Sequence, residues 1–178
     1  MSVLSWILVA LVALLVGLLA YAATRPDSFR VQRTAVIKAP ADKLFALIDD
    51  LKLFNNWNPF EKKDPSVRGE YSGAASGVGA AYAWRGKKVG EGRMEITESR
   101  APSNVTMQLD FVKPFKARHI AEFTLQPQGD LLTVVTWAMH GPSPYISKLM
   151  GVILDMDRLI GKDFEAGLQD LKTLTEHR

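Results

Sequence analysis

The sequence predicts an α+β protein: an antiparallel sheet covered by one long C-terminal helix and preceded by a separate apolar helix. Three observations predict it. Between Val67 and His140, runs of β-formers about 6–10 residues long alternate with turn signals, the spacing of an antiparallel meander rather than of βαβ units. From Tyr145 to Glu176 there is no proline, and apolar residues recur at three- and four-residue steps. Met1 to Thr24 carries no charged side chain.

The N-terminal segment comes first. Val3 to Ala23 is apolar apart from Ser5, Gly17 and Tyr21. A helix of about 21 residues spans roughly 30 Å, the thickness of a bilayer's hydrocarbon core. Trp6 and Tyr21 stand near its ends, where amphipathic rings favour the membrane interface. The reading is a single transmembrane anchor over residues 1–24 and a folded domain over 25–178. A cleaved signal peptide, with export, is the alternative, because Ala20-Tyr21-Ala22 has an A-x-A form. Against it, no Lys or Arg precedes the run, and the run is long for a signal's apolar core. A buried core helix would normally keep a polar face. Arg25, Arg30, Arg33 and Lys38 follow the span, so the positive-inside rule puts the domain in the cytoplasm.

The remaining elements follow in order. Asp27 to Arg30 reads as a short tether and Val31 to Lys38 as a strand ended by Pro40. Asp42 to Leu51 places Leu44, Phe45, Leu47, Ile48 and Leu51 on one helical face. Leu53 to Trp57 reads as a further helical turn stopped by Pro59, and Glu61-Lys62-Lys63-Asp64 as a solvated loop. About six strands should follow, then Gly141-Pro142-Ser143-Pro144, then one continuous helix from Tyr145 to Glu176. A sheet with one apolar face must bury it, and the last helix supplies the cover.

Composition excludes several chemistries. The 178 residues contain no cysteine, so disulfides, Cys-ligated zinc and thiol nucleophiles are absent. The net charge of +3 and the lack of a basic patch with interleaved aromatics argue against nucleic acid. No Gly-x-Ser-x-Gly elbow occurs. The three histidines lie far apart, and no pair has metal-helix spacing, so no metal site is expected. Gly77-Val78-Gly79 precedes a strand rather than opening a helix, and reads as a turn. Nothing gives grounds for a bound cofactor.

Four stretches carry a resemblance. Val36-Ile37-Lys38-Ala39-Pro40 with the Phe45 helix, Trp57-Asn58-Pro59-Phe60, Gly90-Glu91-Gly92-Arg93-Met94-Glu95-Ile96, and Gly161 to Lys172 occur in this order. Together they resemble the START-like (SRPBCC) superfamily, and within it the bacterial polyketide cyclase/dehydrase-like proteins. The resemblance covers about residues 30–175 and implies a helix-grip fold. In that fold a curved antiparallel sheet wraps on the long C-terminal helix, and ligands sit between the two.

Strand parity then names candidate lining residues, since alternate residues share a face. Gly90, Gly92, Met94 and Ile96 form one inward set, and Val105, Met107, Leu109 and Phe111 another. Val135, Trp137 and Met139 share a face, as do Tyr82 and Trp84. The expected ligand-binding wall is Trp84, Met94, Met107, Phe111, His119, Trp137 and Met139, opposed by Met150, Ile153 and Met156 of the last helix. Such a Met and aromatic set suits an adaptable apolar pocket, and it equally suits an ordinary core. His119, set inward between Ala117 and Ala121, is the first candidate for an acid or base, with Tyr82 second. His140 is expected at an exposed rim, and His177 in an inert tail.

The expected function is a membrane-anchored module that binds an apolar small molecule or lipid. The resemblance also admits a cyclase/dehydratase-like enzyme, and a closed core would leave a structural or interaction domain. Neither the ligand nor a protein partner is specified by the sequence.

Overall fold

Alternation of apolar and polar residues with period two builds the sheet that dominates this chain. The computed structural model describes residues 2–176, the side chain of Ile153 excepted. The chain forms two units, Met1–Phe29 with Pro142–Met156, and Arg30–Gly141 with Asp157–Arg178.

In the larger unit, β1 (Ser28–Ile37) is followed by α2 (Ala41–Asp49), α3 (Leu51–Phe54) and α4 (Pro59–Lys63). Six strands come next: β2 (Arg68–Gly73), β3 (Ala80–Arg85), β4 (Glu91–Arg100), β5 (Asn104–Lys113), β6 (Ala117–Pro127) and β7 (Thr133–Pro142). The sheet has seven strands in the order β1-β7-β6-β5-β4-β3-β2, and β2 to β7 form an antiparallel meander. The expected strand count and topology hold. β1 starts three residues earlier than predicted and absorbs most of the expected tether.

α6 (Met156–Glu176) buries Phe164, Gly167, Leu168 and Leu171. Small residues let it approach closely. A Cβ at Gly167 would stand 2.7 Å from the Trp137 ring and 2.9 Å from Pro59. Phe164 stacks on Trp137 with ring centroids 4.2 Å apart. α4 is fastened to α6 by Lys62–Asp170 (2.7 Å) and by Lys63–Asp163. Arg33 of β1 holds the other end of α6 through Asp157 (3.0 Å) and Glu165 (2.7 Å), and these carboxylates push its guanidinium pKa further up.

The predicted single C-terminal helix is broken. α5 (Tyr145–Ile153) and α6 are separated at Leu154, whose backbone is extended. Leu154 and Asp155 are not helix breakers, and the apolar spacing runs on across them, so sequence periodicity conceals the break.

Two further expectations are corrected around Pro59. It opens α4 instead of ending a helix, because its missing N–H costs nothing at a first helical position. Asn58 caps that helix by accepting the Phe60 amide at 3.2 Å. Glu61, Lys62 and Lys63 are accordingly helical, and Asp64, which follows the helix with extended backbone, is buried. Its carboxylate accepts Ser66 Oγ (2.5 Å) and the backbone amides of Ser66, Lys88 and Val89. Those hydrogen bonds hold its pKa far below the ordinary carboxylate value.

The two sheet edges differ. Along β1, Lys172 Nζ of α6 donates to the Val36 carbonyl (3.0 Å), and Glu176 accepts the Lys38 amide (2.7 Å). All six residues of β2 are exposed, with Arg68 and Glu70 among them.

In the smaller unit, α1 (Val3–Ala23) meets α5. Tyr145 Oη donates to the Leu19 carbonyl at 2.9 Å, and Lys148 pairs with Asp27 at 2.5 Å, lowering the Asp27 pKa. α1 is long and apolar enough to cross a membrane, as an anchor or a signal sequence would be. Its side chains are largely exposed.

Candidate functional site

Direct antiparallel partners share a face, so register assembles the inner wall. Trp84 lies opposite Gly92, and Gly92 opposite Phe111. Met94 stands between Tyr82 and Leu109, and Leu109 lies opposite His119. Met107 runs between Ile96 and Ala121, which faces Met139. Val105, Phe123 and Trp137 complete the last row. The sheet therefore brings together seven of the ten predicted lining residues: Trp84, Met94, Met107, Phe111, His119, Trp137 and Met139.

Packing along this wall is uneven. At one end five rings interlock: Phe54, Trp57, Phe123 and Trp137 meet edge-on or tilted at 4.8–6.1 Å, and Phe164 closes over Trp137. Trp57 is fully buried, and its indole donates to the Leu47 carbonyl at 3.0 Å. Trp137 is 4% exposed, yet its indole N–H has no hydrogen-bond partner among the described residues. A buried donor in that state costs free energy until something accepts from it.

At the other end, Trp84 meets Phe111 edge-on at 5.7 Å, and Phe111 meets His119 at 5.4 Å. Phe111 and His119 are only half-buried. Two glycines lie against this row. The Trp84 ring occupies the space beside Gly92, and a Cβ at Gly141 would stand 2.7 Å from His119 Cδ2. Burial pushes the His119 imidazole below its ordinary pKa, so it is neutral at pH 7. A neutral imidazole beside the Phe111 ring can contact an apolar ligand or take up a proton.

The remaining candidates fall elsewhere. The Tyr82 hydroxyl donates to Glu61 at 2.5 Å, and burial together with that carboxylate raises its pKa, which opposes a role as acid. Gly90, predicted on the inner face, lies in the β3–β4 turn with φ +72°, where a Cβ would strike the Lys113 carbonyl. Met150 lies on α5 and Met156 opens α6, both in the smaller unit. The side chain of Ile153 lies outside the described residues, as does His177. His140 is half-buried, with Nε2 3.4 Å from Glu122. Among the described residues, no group of three His, Asp or Glu side chains is placed to hold a metal ion.

Sequence reasoning missed Gly141, Glu61 and Phe164. Gly141 was visible only as turn chemistry. Glu61 sat in a stretch read as solvated. Phe164 was assigned to the stripe of the last helix with no partner named.

Comparison with known proteins agrees with this architecture. The profile of the family described as "Polyketide cyclase / dehydrase and lipid transport" matches residues 28–176. No curated protein sequence matches. Among solved structures, a protein of Chromobacterium violaceum superposes with a TM-score of 0.58 at 15% identity, covering 85% of this chain and 99% of its own. A Thermobifida fusca protein gives 0.60 at 18%, covering 80% and 90%. Truncated norcoclaurine synthase from Thalictrum flavum gives 0.62 at 12%, covering 83% and 92%. At such identities these likenesses establish the helix-grip fold alone. The family match spans most of the chain, and this protein belongs to the polyketide cyclase/dehydrase and lipid transport family of the START-like (SRPBCC) superfamily.

Proposed function

We propose that this chain is a membrane-tethered binding module that holds an apolar small molecule or lipid on the inner face of its sheet. The observation that carries the reading is the contrast along that face. One end is filled by five interlocked rings, while at the other Phe111 and His119, beside the buried Trp84, are only half-buried. An apolar wall with one neutral imidazole and the Trp137 N–H has the composition of pockets that take apolar ligands with a few polar anchors. The tether is α1, read as a retained anchor over residues 1–24, which would put a lipid source beside the site.

The test is native mass spectrometry of the full chain in lipid nanodiscs, with a solvent extract of the same sample. An adduct of lipid or small-molecule mass, lost on denaturation and lost in Phe111→Ala, is the expected result. A chain that takes up nothing from a mixed lipid extract overturns it.

A second reading, a cyclase/dehydratase-like enzyme, is favoured by one observation. His119 is neutral at pH 7 and adjoins the open end, as a general base would. His119→Gln would then keep the ligand adduct and abolish turnover, whereas in a pure binding module no turnover exists to lose.

A further inference from the structure

We infer that one end of the sheet is a docking surface for an anionic membrane, built by the β3–β4 and β5–β6 turns. The inference rests on the reading of α1 as a retained membrane anchor.

The register puts both turns at the same end. β3 leaves at Arg85 and β4 enters at Glu91, which pairs with Lys113 at the close of β5. β6 begins beside them, with Phe111 opposite Ala117. This end is cationic. Lys113 and Arg85 both pair with Glu91, at 3.2 and 2.9 Å. Lys87, Lys88 and Lys116 are exposed and form no salt bridge among the described residues. Phe115 stands between Lys113 and Lys116 and is 62% exposed, and Val112, just before Lys113, is 46% exposed.

Exposed apolar side chains are ordinary when scattered. The opposite end shows this: Val78 and Leu131 are 60% and 72% exposed there, but no lysine stands in the turns at 74–79, 101–103 or 128–132. An exposed aromatic ring beside Lys116, at an end that also carries the unpaired Lys87 and Lys88, is the combination that suits a lipid headgroup layer.

Connectivity supplies the second argument. Thr34 Oγ1 lies 3.0 Å from Thr136 Oγ1, and Thr133 Oγ1 donates to the Ala39 carbonyl at 2.8 Å. β1 and β7 therefore run antiparallel, and β1 begins where β7 ends, at the end that carries the lysines. The chain leaving α1 at Ala23 joins the sheet at Ser28, a reach of at most roughly 17 Å for the five steps. α5 leaves the sheet from this end too, and its Tyr145 hydroxyl donates to Leu19, in the last turns of α1. Chain connectivity alone thus tethers the first residue of β1, at the end that carries the lysines, to an anchored α1.

The experiment uses the full chain in nanodiscs of neutral phosphatidylcholine, with or without anionic phosphatidylglycerol. The sequence has no cysteine, so Phe115→Cys or Leu131→Cys accepts a single polarity-sensitive fluorophore. The expected result is a blue shift of the probe at 115 and its quenching by spin-labelled lipids in anionic discs, with neither effect at 131. The docked fraction, read as a ratio to undocked, falls about fivefold for each of Lys87→Gln, Lys88→Gln and Lys116→Gln. High salt should abolish docking. A probe at 115 as water-exposed as that at 131 overturns the proposal and leaves the anchor intact. Equal quenching in neutral and anionic discs also overturns it, since the lysines then play no part. A chain that never enters the discs overturns the anchor reading itself, and this inference with it.

Discussion

The two ends of the inner wall are made from the same kinds of residue and do different things. Phe123, Trp137 and Phe164 are within a few per cent of full burial and are covered by α3, α4 and α6. Phe111 and His119 lie on the same face of the same sheet and are only half-buried. Aromatic content therefore does not distinguish core from site; what faces the ring does. A ring met by a helix is core, and the ring beside an imidazole at the less covered end is where the proposed ligand would sit.

The sharpest way to break that comparison is to remove one ring from each end. Phe164→Ala should cost about 3–5 kcal/mol in urea unfolding, the usual range for a buried aromatic. Phe111→Ala should cost no more than about half of that and should lose the ligand adduct. Equal losses would make both ends core. Gly167→Ala tests how tightly α6 closes its end. The helix would gain about 1 kcal/mol in propensity, against a cost of about 1–3 kcal/mol for the collision with Trp137 and Pro59. Net destabilisation is expected, and a net gain would mean that α6 slides easily.

The pH dependence sharpens the contrast further. The imidazole of His119 titrates below its ordinary value of 6.5, so the unfolded chain binds its proton first. Its contribution to stability is present above about pH 6.5 and is lost as pH falls below that. In His119→Gln, the drop in urea midpoint between pH 7.5 and 5 should shrink. Asp64, Asp110 and Asp157 have lowered values and contribute in the other window, losing stability only below their ordinary 3.8. A change confined below pH 4 in the variant would remove His119 from the account. The smallest effect is expected at Leu131→Ser, within about 0.5 kcal/mol, because that side chain touches solvent.

Most of the sheet was legible because its rule is local. Period-two alternation put Met94, Met107, Trp137 and His119 on one face without any tertiary information. The turns were legible through glycine and proline. What escaped depends on distant partners. Asp50, inside the stretch Asp42 to Leu51 that reads as one helix, caps α3 by accepting the Lys52 amide at 2.8 Å. Asp64 looked like part of a solvated charge cluster, since two of its four donors, the Lys88 and Val89 amides, come from a turn more than twenty residues away. The meeting of Trp84, Phe111 and His119 needed the register of three hairpin-linked strand pairs, which no single strand encodes. The break at Leu154 escaped because no residue there forbids a helix.

The treatment of the sheet edges has a consequence for how copies of the chain meet when crowded. An open sheet offers unpaired amides and carbonyls on both flanks, and proteins confined to two dimensions meet often. On the β1 flank, Lys172 and Glu176 of α6 already engage the Val36 carbonyl and the Lys38 amide. On the β2 flank, a strand of six residues holds Arg68 and Glu70 outward and two glycines between its side chains. Short, charged, glycine-bearing edges resist strand addition by a neighbour. Copies of the chain can therefore be crowded together without their sheets fusing into longer ones.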